Sequence, residues 1–228
     1  MTVNEEPSVS TREMYMVHTM LRREFSLLPA LVREVGAGDR ERVGVVAGHA
    51  ELVASVLHHH HAAEDAYLWP VLLERGPEEI APVVHSMEEQ HAGIARLYTE
   101  ATTLLDKWRH SAAAGPRDAL AGTFEGLLPP LYEHLGDEER RVLPLIDRYI
   151  TLDEWDRSVQ EGGKDTPQEL LPLMFGMMMY EGDPGIVARA VANMPPEVRP
   201  VIEQAAGEAF RAHSQRVHGT TTPRRSTV

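Results

Sequence analysis

Residues 60–70 read HHAAEDAYLWP, and residues 134–144 read HLGDEERRVLP. Both begin His-x-x-x-Glu, and both place a proline six residues after the glutamate: His60, Glu64 and Pro70 in one, His134, Glu138 and Pro144 in the other. On an α-helix, residues i and i+4 stand one turn apart on a single face. Each segment therefore offers one imidazole and one carboxylate to the same region of space.

The surroundings are helical. Apolar residues recur every three to four positions, and no alternating run rich in Val, Ile and Thr suggests a strand. The pattern predicts a helix over 11–36, capped by Ser10 or Thr11 and stopped at Gly36-Ala37-Gly38. A second runs from the cap Asp39 to about Glu74, a third from Glu78 to about Ala114, and a fourth over 117–150 with a bend at Pro129-Pro130. Shorter helices are expected near 151–161, 167–181 and 185–193, and a last one from about Pro196 to Val217. Long helices with short connections pack most simply as an antiparallel four-helix bundle. The expected fold is therefore all-α, a four-helix bundle with additional short C-terminal helices. Its expected organisation is a flexible N-terminus (1–10), the bundle (11–150), a helical extension packed on it (151–218) and a disordered tail (219–228). The apolar stretch LLPLMFGMMMY at 170–180 reads as a helix packed on the bundle, since Met fills irregular gaps well.

Composition narrows the function. Among 228 residues there is no Cys, which excludes thiolate metal sites, iron–sulfur clusters and cysteine nucleophiles. A net charge of -13 repels phosphate backbones and anionic lipid, so neither nucleic acid nor membrane is an expected partner. The acidic start MTVNEEPSVSTRE is unlike a secretory signal, and the expected location is cytoplasmic. No nucleophile triad or phosphate-binding loop is present. The 12 His stand out, all but His213 and His218 falling before residue 150.

In a four-helix bundle the second and fourth helices face each other across the diagonal, so the two motifs converge. Burying Glu64 and Glu138 without partners would cost on the order of several kcal/mol each. Cations remove that cost. Imidazole with carboxylate and no sulfur suits iron, manganese or zinc, and carboxylates from two helices suggest two ions. His18 on the first helix and His91 on the third have apolar helical neighbours and face inward. His85 and His110 lie too far round or along the third helix to join them. His49 shares the face of His60 but lies roughly 16 Å away along the helix, so it reads as a partly buried polar core residue. His58 and His59 read as solvated.

His18 followed by Arg22-Arg23, HHAAED with WP at 60–70, His91 in EEQH and HLGDEERRVLP at 134–144 together resemble the hemerythrin-like, or HHE cation-binding, domain over roughly residues 11–150. The resemblance implies a non-heme di-iron centre with an oxo or hydroxo bridge. It further implies His18, His60, His91 and His134 as terminal ligands and Glu64 and Glu138 as bridging ones. Oxygen-carrying members place a second His four residues before the third-helix ligand, where this chain has Met87. His61 is the natural substitute, because some relatives use the residue after the second-helix His, and a solvated or supporting His61 is the alternative. Tyr67, three residues after Glu64, either hydrogen-bonds a bridging carboxylate or bound ligand or is a core aromatic. Asp65 is placed to orient His61. The implied function is binding of, and reaction with, O2, hydrogen peroxide or nitric oxide, with peroxidase- or catalase-like turnover if electrons are resupplied. The alternative is a non-enzymatic oxygen, iron or nitric oxide sensor, or a storage protein.

Overall fold

The computed structural model describes residues 11–226. The expected flexible segment 1–10 lies outside them. Four long helices form the body: α1 (Arg12–Arg33), α2 (40–75), α3 (Ala81–Ser111) and α4 (114–149). Asp39 caps α2 through its side chain, which accepts from the Arg42 amide, as the sequence suggests. Thr11 precedes α1 without a side-chain cap bond. No strand occurs among the described residues, and none of their helices is long and apolar enough to cross a membrane.

Contacts run round a ring, α1 against α2 and α4, and α3 against α2 and α4. Along α1 and α4 the partners are Thr11 with Asp147, Arg22 with Glu139 and Arg33 with Glu125. One number rises as the other falls, so the pair is antiparallel. The same holds for α2 with α3, where Asp65 meets His91 and Glu51 meets Arg109. Gln90 with Asp137 and Glu100 with Thr123 show it for α3 with α4. The two histidine motifs thus sit on opposite members of the ring.

α2 and α4 share an irregularity. Each passes through one π-helical turn, at Glu64–Leu68 and at Glu138–Val142. Both turns begin on the glutamate of the His-x-x-x-Glu motif and end two residues before its proline. The proline fits this position. It has no N–H to donate four residues back, and its ring would press on that carbonyl. The preceding residue reaches five back instead: Trp69 N–H donates to the Glu64 carbonyl, and Leu143 N–H to that of Glu138. Such turns commonly mark functional sites. Pro129 and Pro130, by contrast, sit inside a continuous helical segment.

Two apolar clusters fill the bundle on either side of the motifs. One includes Leu21, Phe25, Leu57, Ile94, Leu127, Leu131 and Leu135. The other contains Leu68, Trp69, Met87, Val142 and Ile146. Beyond the bundle come α5 (Leu152–Gly163), α6 (Leu171–Met179), α7 (Pro184–Asn193) and α8 (Arg199–His218). α5 opens with a capping box of Thr151 and Glu154 and packs on α2 beside its π turn. α6 crosses α8 closely, because Gly176 has no Cβ; one built there would lie 2.2 Å from the Ala206 carbonyl oxygen. Leu173, Phe175 and Met177 are buried, so the Met-rich stretch is packing. Residues 219–226 make two hydrogen bonds with the segment that follows α6. Tyr180 Oη donates to the Pro223 carbonyl at 2.8 Å, and the Ser226 amide donates to Glu181 at 2.7 Å.

Candidate metal centre

His18 from α1, His60, His61 and Glu64 from α2, His91 from α3, and His134 and Glu138 from α4 meet at the middle of the bundle. Their donor atoms fall into two groups: His61, Glu64, His91 and His134 in one, His18, His60 and Glu138 in the other. The glutamates reach across. Glu64 Oε1 lies 3.4 Å from His60 Nε2, and Glu64 Oε2 lies 3.5 Å from His91 Nε2. Glu138 Oε2 lies 3.3 Å from His18 Nε2 and 3.7 Å from His134 Nε2. These separations are close to those of neighbouring ligands about 2.1 Å from a shared ion.

The donor set fits cations and little else. His18 Nε2, His60 Nε2, His61 Nε2 and all four oxygens of Glu64 and Glu138 are buried without a hydrogen-bond partner. Native interiors leave only a few such atoms unpaired per hundred residues, and here seven lie together. Histidines and carboxylates without sulfur form a donor set for a first-row transition cation. In the protein without ions, charge is arranged accordingly. Burial, then the Glu138 charge, holds the Glu64 carboxyl well above the usual range. Glu138 is held well below it: burial opposes this, but His18 beside it prevails. His18 is raised in return by Glu138 and Glu139 against the effect of burial. Burial is the main force lowering His60 to about 3 and His134 to about 4, and it lowers His61 strongly, so their nitrogen lone pairs are free.

Three imidazoles are oriented from behind. His91 Nδ1 donates to Asp65 Oδ1 at 2.7 Å, and His134 Nδ1 donates to Gln90 Oε1 at 3.1 Å. His18 Nδ1 donates to Glu139 Oε1 at 2.9 Å, and Arg22 holds that carboxylate at 2.6 Å. Such partners fix the tautomer and turn Nε2 toward the centre. Gln90 and Glu139 escape a reading of the sequence because they act across helices. His18-x-x-x-Arg22 on one face of α1 was the available signal for an acidic partner.

Two expectations need correction. Asp65 holds His91, not His61, which instead stacks on the His91 ring at 4.0 Å. Tyr67 is half-buried beside Glu161 of α5 and does not reach the carboxylates. The π turn explains both, since its extra residue breaks the i, i+4 register after Glu64. Leu68 and Trp69 turn inward in place of Tyr67, and Trp69 lies 5.9 Å from His91. Met87, where a further ligand was absent, is buried in apolar surroundings. His61 occupies the space among Glu64, His91 and His134. His85 and His110 stay at the surface, away from the centre.

A cleft of about 210 Å³ between α2 and α3 ends on His61 and His91, with Leu57, Ile94, Tyr98 and Glu88 among its walls. No curated protein and no solved structure matches the chain. The family model described as hemerythrin HHE cation binding domain matches residues 9–146, most of the chain and every residue of this centre. The chain therefore belongs to the hemerythrin family, with an HHE cation-binding domain at its core.

Proposed function

We propose that the chain holds two iron ions, one in each donor group, bridged by Glu64 and Glu138, and that it binds and reduces a small oxidant such as O2, hydrogen peroxide or nitric oxide. The observation that carries this reading is the set of unpartnered buried atoms beside two donor groups, each with one glutamate that reaches toward a histidine of the other. Two ferrous ions supply two electrons to a bound oxidant at an open coordination position. The group of His18 and His60 has one imidazole fewer than that of His61, His91 and His134, so an ion held there would have fewer protein donors.

The protein's own groups prepare the site. Asp65, Gln90 and Glu139 keep the Nδ1 protons of His91, His134 and His18, leaving each Nε2 as donor. Glu64, which burial keeps protonated, would hold an ion as a carboxylate once that proton is lost. The apolar clusters above and below exclude bulk water and limit proton leakage. Manganese or zinc also suit these donors, and metal analysis separates them from iron.

A sensing role is the second reading. It is favoured by α5, which packs directly on the π turn that carries Glu64, with the Ala63 side chain 3.4 Å from where a Gly162 Cβ would lie. Loss or oxidation of the ions would be felt there.

The test is metal quantification and visible absorption of the purified protein before and after peroxide. About two irons per chain, charge-transfer absorption, and repeated consumption of peroxide with an electron donor are expected. Iron that binds and oxidises once without turnover favours the sensor or storage reading. Absence of iron uptake ends the proposal.

A further inference from the structure

Roughly 16 Å along α2 from His60, a second set of buried donors belongs to none of the above. Glu24 of α1, His49 of α2 and His218 in the last turn of α8 bring their donor atoms within 4.8 Å of one another. His49 Nε2 lies 3.3 Å from Glu24 Oε2, and His218 Nε2 lies 3.7 Å from the same oxygen. Glu24 and His49 are almost completely buried, at 1% and 2% exposure. Yet Glu24 Oε2 and His49 Nε2 have no hydrogen-bond partner, their mutual geometry not being that of one.

The carboxylate is divided in its work. Glu24 Oε1 accepts from Arg23 Nε at 2.9 Å and Arg23 Nη2 at 2.6 Å. Arg23 is shared with Glu181, 2.9 Å away, so one cation faces two carboxylates and the three groups together keep a negative charge. Oε2 is left facing two imidazoles, neither of them in hydrogen-bond geometry with it. His49 is held from behind, its Nδ1 3.1 Å from His213 Nε2, which leaves Nε2 as the atom that faces the carboxylate. The cationic groups around the cluster have other duties. Arg42 binds the Arg216 and Val217 carbonyls, and Arg216 stands behind His213.

We propose that Glu24, His49 and His218 form a separate site for one divalent transition cation, which pins the end of α8 to α1 and α2. Two imidazoles and one carboxylate, from residues far apart in sequence, suit zinc and its first-row neighbours. A 3.3 Å separation is that of adjacent ligands about 2.1 Å from one ion. The site joins the C-terminal extension to the bundle, and it does not depend on what the central donor groups bind.

The test uses the full chain, stripped with a chelator, saturated with Zn²⁺, desalted and analysed for zinc. His218→Ala, at a helix end, is expected to hold one zinc ion per chain fewer than the wild type. Glu24→Gln should lose the same ion, and the double variant should lose one rather than two. Zinc should also slow amide exchange across 199–218 in the wild type, a measurement that needs no variant. An unchanged zinc count in His218→Ala overturns the proposal and leaves a proton-linked Glu24–His49 pair. Unchanged exchange in the wild type, or two ions lost in the double variant, overturns it equally.

Discussion

Replacing Glu64 with methionine should stabilise the metal-free protein while destroying its response to metal. Glu64 has both oxygens buried and unpartnered. Burial and the neighbouring Glu138 charge keep it protonated well above the usual range, so the group to be removed is a neutral, unsatisfied carboxyl. An unsatisfied buried polar group costs about 1–3 kcal/mol. Methionine has similar length, packs without polar atoms and suits a helix. For a chain of this size each kcal/mol moves the midpoint by about 2–4 °C, so the metal-free Tm should rise by roughly 2–12 °C. With metal the order reverses. A cation at a thousand times its Kd stabilises the wild type by about 4 kcal/mol, and the variant should gain little of this. Glu138→Met is the contrasting control: Glu138 stays ionised against His18, and its loss removes one of the two carboxylates that hold that imidazole, so metal-free stability should fall. Calorimetry of all three proteins, chelated and metal-saturated, is the assay. A metal-free Glu64→Met that melts below the wild type would refute the reasoning, as would a metal-induced gain equal to that of the wild type.

Three further outcomes are expected. Asp65→Ala or Glu139→Ala, each removing the acceptor behind one imidazole, should weaken metal affinity about 10–100-fold with little change in metal-free helix content, as measured by competition with a chelator. Glu154 is held at about 2, first by Arg75 and then by Thr151, a lowered carboxylate pKa whose stabilisation is complete above the ordinary 4.5 and fades as pH falls toward 2. Wild type should therefore exceed Glu154→Ala by about 1 kcal/mol near neutrality, and denaturant titrations should show that margin narrowing between pH 4.5 and 2. Gly176→Ala drives a methyl to 2.2 Å from the Ala206 carbonyl oxygen and should cost about 1–3 kcal/mol by forcing α6 from α8; an unshifted melting curve would contradict that crossing.

Much of the centre was legible because it is made of local repeats. His60 with Glu64 and His134 with Glu138 are each one turn apart, so helical geometry alone aligns them. His18 and His91 could be read from the apolar residues that share their faces. The periodic pattern and short connections also indicated a helical bundle. Pro70 and Pro144 were visible as a shared spacing, but their effect was not. Each follows a five-residue backbone step that changes the register beyond its glutamate, where Tyr67 points to α5 and Asp65 serves His91.

Which side chains share a helix face can be read from residue spacing alone, because that depends only on backbone periodicity. Only the tertiary structure decided which faces meet. Gln90 and Glu139 support histidines on other helices. Glu24, His49 and His218 assemble from three elements, and 219–226 lie against Tyr180 and Glu181. Such contacts depend on interhelical packing, on the π turns that shift register, and on the electrostatics of burial, none of which has a period along the chain.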